Sequence, residues 1–279
     1  MPTVTRFAPS PTGQLHLGHA YAAIFAHDMA RSSGGRFLLR IEDIDAGRCR
    51  PEFEAAIEED LAWLGLDWER PVRRQSQHMS DYAAALTELR DAGLVYPCFC
   101  TRAEIRAEIE RAADAPQGPD GPIYPGTCRT LTQDERKQRM ARGDSYALRL
   151  DMSAAISRAG RLDWVDRARG RVTATPETFG DVILARKDTP ASYHLAVTLD
   201  DAIQGVTLVT RGEDLAPATD IHRLLQMLLD LPVPEYHHHK IVTDDAGRRL
   251  AKRDRAATLH SLREDGRTAE EIRAMIGLA

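Results

Sequence analysis

Arg6-Phe7-Ala8-Pro9-Ser10-Pro11-Thr12-Gly13-Gln14-Leu15-His16-Leu17-Gly18-His19 sets how the chain begins. Thr3 to Ala8 reads as a short extended run, the cluster from Pro9 to Gly13 breaks it, and Gly18 to about Ser33 is helical until Gly34-Gly35 stops it. Phe37-Leu38-Leu39-Arg40-Ile41 then reads as a buried strand. Pro51 opens a second helix with Phe53, Ile57, Leu61 and Leu64 on one face, and Gly65 ends it. This alternation predicts an α/β fold whose parallel sheet is covered by helices on both faces. His16 and His19 share a face at a helix start, where free N–H groups favour phosphate, and Gly13 and Gly18 let a ligand approach the backbone. On spacing alone the pair reads equally as surface histidines on an ordinary turn.

Composition bounds the alternatives. The chain has 279 residues, 43% hydrophobic and 28% charged, which excludes disorder as the main state. No apolar run approaches the roughly 18 residues of a membrane helix and no signal-peptide pattern opens it, so it reads as cytoplasmic. A net charge of −5 excludes a broad electrostatic footprint for nucleic acid, so any RNA contact is local.

From Leu94 to about Tyr146 a cysteine-containing loop, a capping box at Thr101 to Glu104 and a Pro/Gly-rich stretch read as an insertion. Tyr146 to Leu150, Asp181 to Lys187, Tyr193 to Leu199 and Val206 to Arg211 read as short strands, followed by an apolar helix carrying Ile221, Leu224, Leu225 and Leu228. His237-His238-His239 reads as a surface or loop run. The tail holds a basic loop, Arg248 to Arg255, and a last capped helix near Thr268, whose box partner is Glu271.

The opening string resembles the "HIGH" motif of class I aminoacyl-tRNA synthetases, and Arg6 to Gly13 is similar to the glutamate-specific members. Arg40-Ile-Glu42-Asp43-Ile-Asp45, Tyr193-His-Leu-Ala-Val with Asp200-Asp201, and Arg211-Gly-Glu-Asp214 resemble later blocks of that family. Gly247 to Arg253 looks like its "KMSKS" loop with Lys252 kept, although Ala251 and Arg253 replace its serines. An isolated run of this kind also reads as a solvated basic loop. The resemblance implies a Rossmann-like class I synthetase catalytic core with a zinc-containing insertion and a short helical C-terminal segment. Its parts would be a first half of the nucleotide-binding core over 1–93, the insertion over 94–145, a second half over 146–230, and the KMSKS-like loop with a helical stem-contact segment over 231–279.

The resemblance also implies residue roles. His16, His19 and Lys252 would be catalytic, and His16, Gly18, His19 and Lys252 would hold ATP with Mg2+. Arg6, Phe7, Ala8, Pro9, Ser10, Glu42, Tyr193 and Arg211 would line a glutamate pocket, with Glu42 on the ammonium and Arg211 on a carboxylate. Chemistry asks for these types, since a dicarboxylic amino acid needs a guanidinium fork and an acidic or carbonyl partner.

Cys98, Cys100 and Cys128 offer three thiolates suited to zinc, which wants four tetrahedral ligands; spacing alone also fits three inert buried thiols. A short branch of the family carries a Cys, Cys, Tyr, Cys zinc set, which places Tyr124 third. Cys49 reads as structural. The chain ends about two dozen residues after Lys252, too few for a helical anticodon domain, which needs on the order of 100 residues. The expected activity is that of the short branch: tRNA-independent activation of L-glutamate, then transfer to queuosine in the anticodon stem-loop of tRNA(Asp), whose RNA would meet a patch of Arg248, Arg249, Arg253 and Arg255. The alternatives are a fragment of a glutamyl-tRNA synthetase charging the tRNA 3′ end, a nucleotidyltransferase acting on a small metabolite, or a non-catalytic zinc-containing RNA-binding paralogue.

Overall fold

A computed structural model describes residues 2–111, 116–242 and 257–278. Lys252, with Ala251, Arg253 and the basic run from Arg248 to Arg255, lies outside the described residues.

The chain opens with β1 (Val4–Phe7), α1 (Leu17–Arg31), β2 (Arg36–Ile41), α2 (Pro51–Trp63) and β3 (Glu69–Arg74), whose strands pair in parallel in the order β1-β2-β3. Each crossover is a helix, as parallel pairing requires. After α3 (Met79–Asp91) come β4 (Val95–Cys98), α4 (Arg102–Arg111), the minimal hairpin of β5 (Gln117–Gly118) and β6 (Gly121–Pro122), α5 (Gln133–Ala141) and β7 (Ala147–Leu150). The chain continues through α6 (Met152–Ala159), β8 (Asp163–Asp166), β9 (Gly170–Thr173) and β10 (Ile183–Ala185). Strands β10, β7 and β4 form an antiparallel sheet in that order.

The body resumes with α7 (Tyr193–Ile203), β11 (Leu208–Gly212), α8 (Ala218–Leu228) and β12 (Glu235–His239). Strands β11, β12 and β8 run parallel, with β9 added antiparallel at the edge. The two parallel units meet where Thr207 N–H donates to the Val4 carbonyl at 3.0 Å and Val4 N–H to Thr207 Oγ1 at 2.9 Å. From β1 the chain crosses to β2, and from β11 it crosses to β12 on the other side. Such a divergence opens a crevice beyond the strand ends, where doubly wound folds bind ligands.

Two helices, α9 (Leu259–Glu264) and α10 (Ala269–Met275), finish the described chain. Their Leu259, Leu262 and Ile272, with Ile276, join the core formed by α1, β2 and α2, and each buried side chain contributes about 1.5–3 kcal/mol. Thr258, just before α9, forms a β-bridge with His16, and Leu259 N–H donates to the Leu15 carbonyl at 2.8 Å. The chain on the C-terminal side of the Lys252 segment is therefore anchored on the His16 turn.

Most expected elements lie where the pattern put them, including both capping boxes, Thr101 with Glu104 and Thr268 with Glu271. Two expectations fail. Tyr193 to Leu199 is the start of helix α7, capped by the Ser192 side chain, and Leu195 to Asp201 are all buried. A helix buried on every side lacks the polar stripe that marks its period. His237-His238-His239 belongs to β12, with His238 and His239 buried, because tertiary burial overrides the polar look of the run.

Candidate active site

A cavity of about 540 Å³ opens beyond the ends of β1 and β11. It is lined by Arg6, Phe7, Ala8, Pro9 and Ser10 from β1 and the turn after it, Glu42 after β2, Tyr193 on α7, Arg211 on β11 and His19 on α1. The structure thus brings the expected pocket residues together from segments some 200 positions apart in sequence.

The α1 terminus shows how the paired histidines act. His16 is the N-cap: its Nδ1 accepts from Gly18 N–H at 3.1 Å, while His19 Nδ1 accepts from His16 N–H at 3.2 Å, making a capping box from two imidazoles. A ring that accepts at Nδ1 has Nε2 as its donor. Their rings lie 3.8 Å apart at a helix N-terminus, the end of a helix that favours anions.

Arg6 does not face the cavity as a free cation. Its Nε and Nη2 donate to the two carboxylate oxygens of Asp201 at 2.9 and 3.3 Å, and Nη1 donates to the Thr210 carbonyl at 3.2 Å. Asp201 also accepts from Arg40 Nη1 at 2.8 Å, and Arg40 Nη2 donates to Glu42 at 3.1 Å. Burial works against the Asp201 charge, but Arg6 and Arg40 outweigh it and hold the carboxyl below its usual range. For Glu42 burial wins over Arg40 and Arg6, and its carboxyl is pushed up. Beneath this lies Asp200, which accepts from Arg73, Gln75 and the Tyr82 hydroxyl. These residues tie β1, β2, β3, α3 and α7 into one buried charged network, and Arg6 and Glu42 form its cavity face.

Arg211 is the opposite case. Its Nε donates to His238 Nε2 at 3.2 Å, Nη1 to the Tyr193 hydroxyl at 3.3 Å, and Nη2 to Thr219 Oγ1 at 2.5 Å, while Nη1 and His222 Nδ1 are 3.2 Å apart. Every partner is neutral, and among the described residues no carboxylate pairs with this guanidinium. Burial, with Arg211 beside them, lowers the pKa of His238 and of His194, next along from His222, to about 4, and drives that of His222 well below its usual value. His238 Nδ1 sits 2.6 Å from Asp166, so its N–H points there and Nε2 stays an acceptor for Arg211. A buried cation without a counter-ion is costly, so the site is built to receive an anion.

Sequence reasoning missed this supporting set: Arg40, Asp166, Thr219, His222 and His238. One signal was available on α8, where Thr219, His222 and Gln226 repeat at helical spacing and are all buried beside the apolar stripe.

The three cysteines also converge. Their sulfurs lie within 4.8 Å of one another, and the Tyr124 hydroxyl is 3.5 Å from Cys98 Sγ and 3.6 Å from Cys100 Sγ. Burial pushes the Cys100 thiol up to about 12 and raises the Tyr124 phenol. Burial opposes the Cys128 thiolate, yet the Phe99 N–H and the Tyr124 hydroxyl hold its pKa down. With Tyr96 and Phe99 the cluster forms its own small core, so the three thiols can hold a metal ion.

Residues 2–279 match the family model "tRNA synthetases class I (E and Q), catalytic domain". The chain is 54% identical to "Glutamyl-Q tRNA(Asp) synthetase" of Rhodobacter capsulatus, over 99% of this chain and 100% of that protein. It is 37% identical to "Glutamate--tRNA ligase" of Aquifex aeolicus, over 96% of this chain and 55% of the relative. Among solved structures, the glutamate-tRNA synthetase of Elizabethkingia anophelis superposes with a TM-score of 0.79 at 30% identity, covering 91% of this chain and 53% of that one. The chain spans about half the length of the last two. No helix of the described residues is long and apolar enough to cross a membrane.

Proposed function

The chain belongs to the class I tRNA synthetase family that includes the glutamate and glutamine enzymes, and from that premise we propose that it activates L-glutamate with ATP, without RNA, and transfers the glutamyl group to queuosine in the anticodon loop of tRNA(Asp). The observation that carries the reading is Arg211, a buried guanidinium with only neutral partners, lining one cavity with the Glu42 carboxylate. Opposite charges across a cavity beside two imidazole donors suit an amino acid with an extra carboxylate, next to a triphosphate.

In the first step an α-carboxylate oxygen of glutamate attacks the α-phosphorus of ATP, and the bond to the β-phosphate bridging oxygen breaks to release pyrophosphate. Glu42 takes the ammonium, and Arg211 with the Tyr193 hydroxyl takes a carboxylate. The Nε2–H groups of His16 and His19 and the α1 terminus stabilise phosphate oxygens, and Lys252 adds a cation. Mg2+ carried with ATP would supply further charge neutralisation. In the second step a queuosine hydroxyl attacks the activated carbonyl, AMP leaves with the electron pair, and the hydroxyl proton passes to phosphate or solvent. Alignment and charge stabilisation supply the acceleration, with no protein nucleophile.

Cys98, Cys100, Tyr124 and Cys128 would hold one structural zinc. Sulfurs bound at about 2.3 Å in tetrahedral geometry stand just under 4 Å apart, a spacing the thiols already approach with Cys100 and Cys128 at 3.4 Å. The experiment that tests the reading is pyrophosphate exchange: it should depend on glutamate, proceed without RNA, and fall by at least about a hundredfold in Arg211→Ala.

A further inference from the structure

Three cavities join into one path. A pocket of about 120 Å³ shares Ser10, Thr12, Glu42 and Tyr193 with the main cavity. It shares Arg186, Ser192 and Tyr193 with another of about 320 Å³, beside the β5–β6 hairpin and Tyr124. His19 lines only the first of the three, whereas Arg186 lines only the second and third. The path therefore leads from the amino-acid cavity away from the α1 terminus and toward the cysteine cluster.

The arginines on this path differ in one respect. Arg6 is tied to Asp201, Arg48 to Asp45, Arg149 to the Asp181 carbonyl, and Arg211 to its neutral set. Arg186 is exposed, and its guanidinium has no hydrogen bond or ion pair among the described residues. Its main-chain N–H donates to the Thr189 carbonyl at 2.8 Å, closing a turn that holds the side chain at the junction. On its other side Arg186 lines a groove of about 450 Å³ together with Lys187 and Arg90. Cations lining adjoining cavities beside the reaction centre fit a polyanion that extends beyond the site.

We propose that Arg186 grips a backbone phosphate of the acceptor RNA, and that the acceptor nucleoside reaches the activated carbonyl along this path, between the cysteine insertion and the loop after β2. The proposal rests on the reading above as an RNA-modifying enzyme. A phosphate contact adds affinity and a salt dependence without touching glutamate activation.

The test compares wild-type protein, Arg186→Ala and Arg186→Lys. It measures affinity for a labelled RNA stem-loop of the tRNA(Asp) anticodon arm across a salt series, and glutamate-dependent pyrophosphate exchange without RNA. Arg186→Ala should bind the RNA about five- to tenfold more weakly near 0.1 M salt, with a log–log salt slope shallower by about 0.7–0.9, and exchange at the wild-type rate; Arg186→Lys should keep the wild-type slope. Unchanged affinity and slope in Arg186→Ala would overturn the proposal, as would a fall in exchange. Absence of exchange in the wild-type protein would strike the glutamate reading instead, while the RNA comparison still judges Arg186.

Discussion

His238 holds Arg211 by accepting its Nε–H at Nε2, 3.2 Å away, and keeps that role because its Nδ1 is committed to Asp166 at 2.6 Å. The pair fixes both the direction of the guanidinium and the tautomer that receives it. Asp166→Asn can turn the imidazole so that Nε2–H faces a cation. Both Asp166→Asn and His238→Ala should raise the KM for glutamate about ten- to a hundredfold, the scale of one charge-assisted hydrogen bond, with a smaller change in the KM for ATP. Initial-rate exchange assays separate the two.

Arg211→Lys should behave like Arg211→Ala. A lysine keeps the charge but cannot present a fork to His238, Tyr193 and Thr219 at once. Exchange should fall by at least about a hundredfold in both variants while far-UV circular dichroism stays unchanged.

Asp201→Asn strikes the fold rather than the ligand. It leaves Arg6 and Arg40, both buried, without their shared counter-ion. Removing one partner from a buried ionic network costs about 3–5 kcal/mol, to be read as a lower urea midpoint with the slope unchanged.

The buried histidines predict acid sensitivity. Burial lowers His194 and His238 to about 4 and holds His222 well below its usual value, against roughly 6.5 in an unfolded chain. Between these values the unfolded state binds protons that the folded state refuses, so stability is full above about pH 6.5 and is lost as pH falls toward 4. Asp60, pushed up to about 6 by burial, and Glu42 act in the opposite sense and offset part of this loss, while the lowered Asp166 and Asp201 add to it only within and below the ordinary carboxylate range. The urea midpoint should be lower at pH 5 than at pH 7; an equal or higher midpoint at pH 5 contradicts this.

Protein prepared without chelators should carry about one zinc per chain, and Cys100→Ser should lose it. Cobalt in its place should show thiolate charge-transfer absorption that Cys100→Ser weakens.

The cavity face was legible through the family resemblance, which is carried by short strings: Arg6 to Ser10, His16 to His19, Glu42, Tyr193 and Arg211; as isolated residues they read equally as surface charges or core side chains. What supports them was not. Asp166 and His238 lie 72 positions apart, and Arg40 and Asp201 161 apart, so no local pattern joins them. Asp166, Arg40 and Asp201 each have apolar neighbours in the sequence, where a polar residue reads as noise until its partner is placed, and His238 is hidden in a polar run. Tyr193 to Leu199 misled for a related reason: full burial removed the polar positions that reveal a helix.

Labelled glutamate, ATP and tRNA(Asp), with and without queuosine, give the deciding measurement. The account predicts exchange without any RNA, and a label that enters only the queuosine-containing tRNA and resists removal of the 3′-terminal adenosine. Equal labelling of both tRNAs, or label lost with that adenosine, would contradict it.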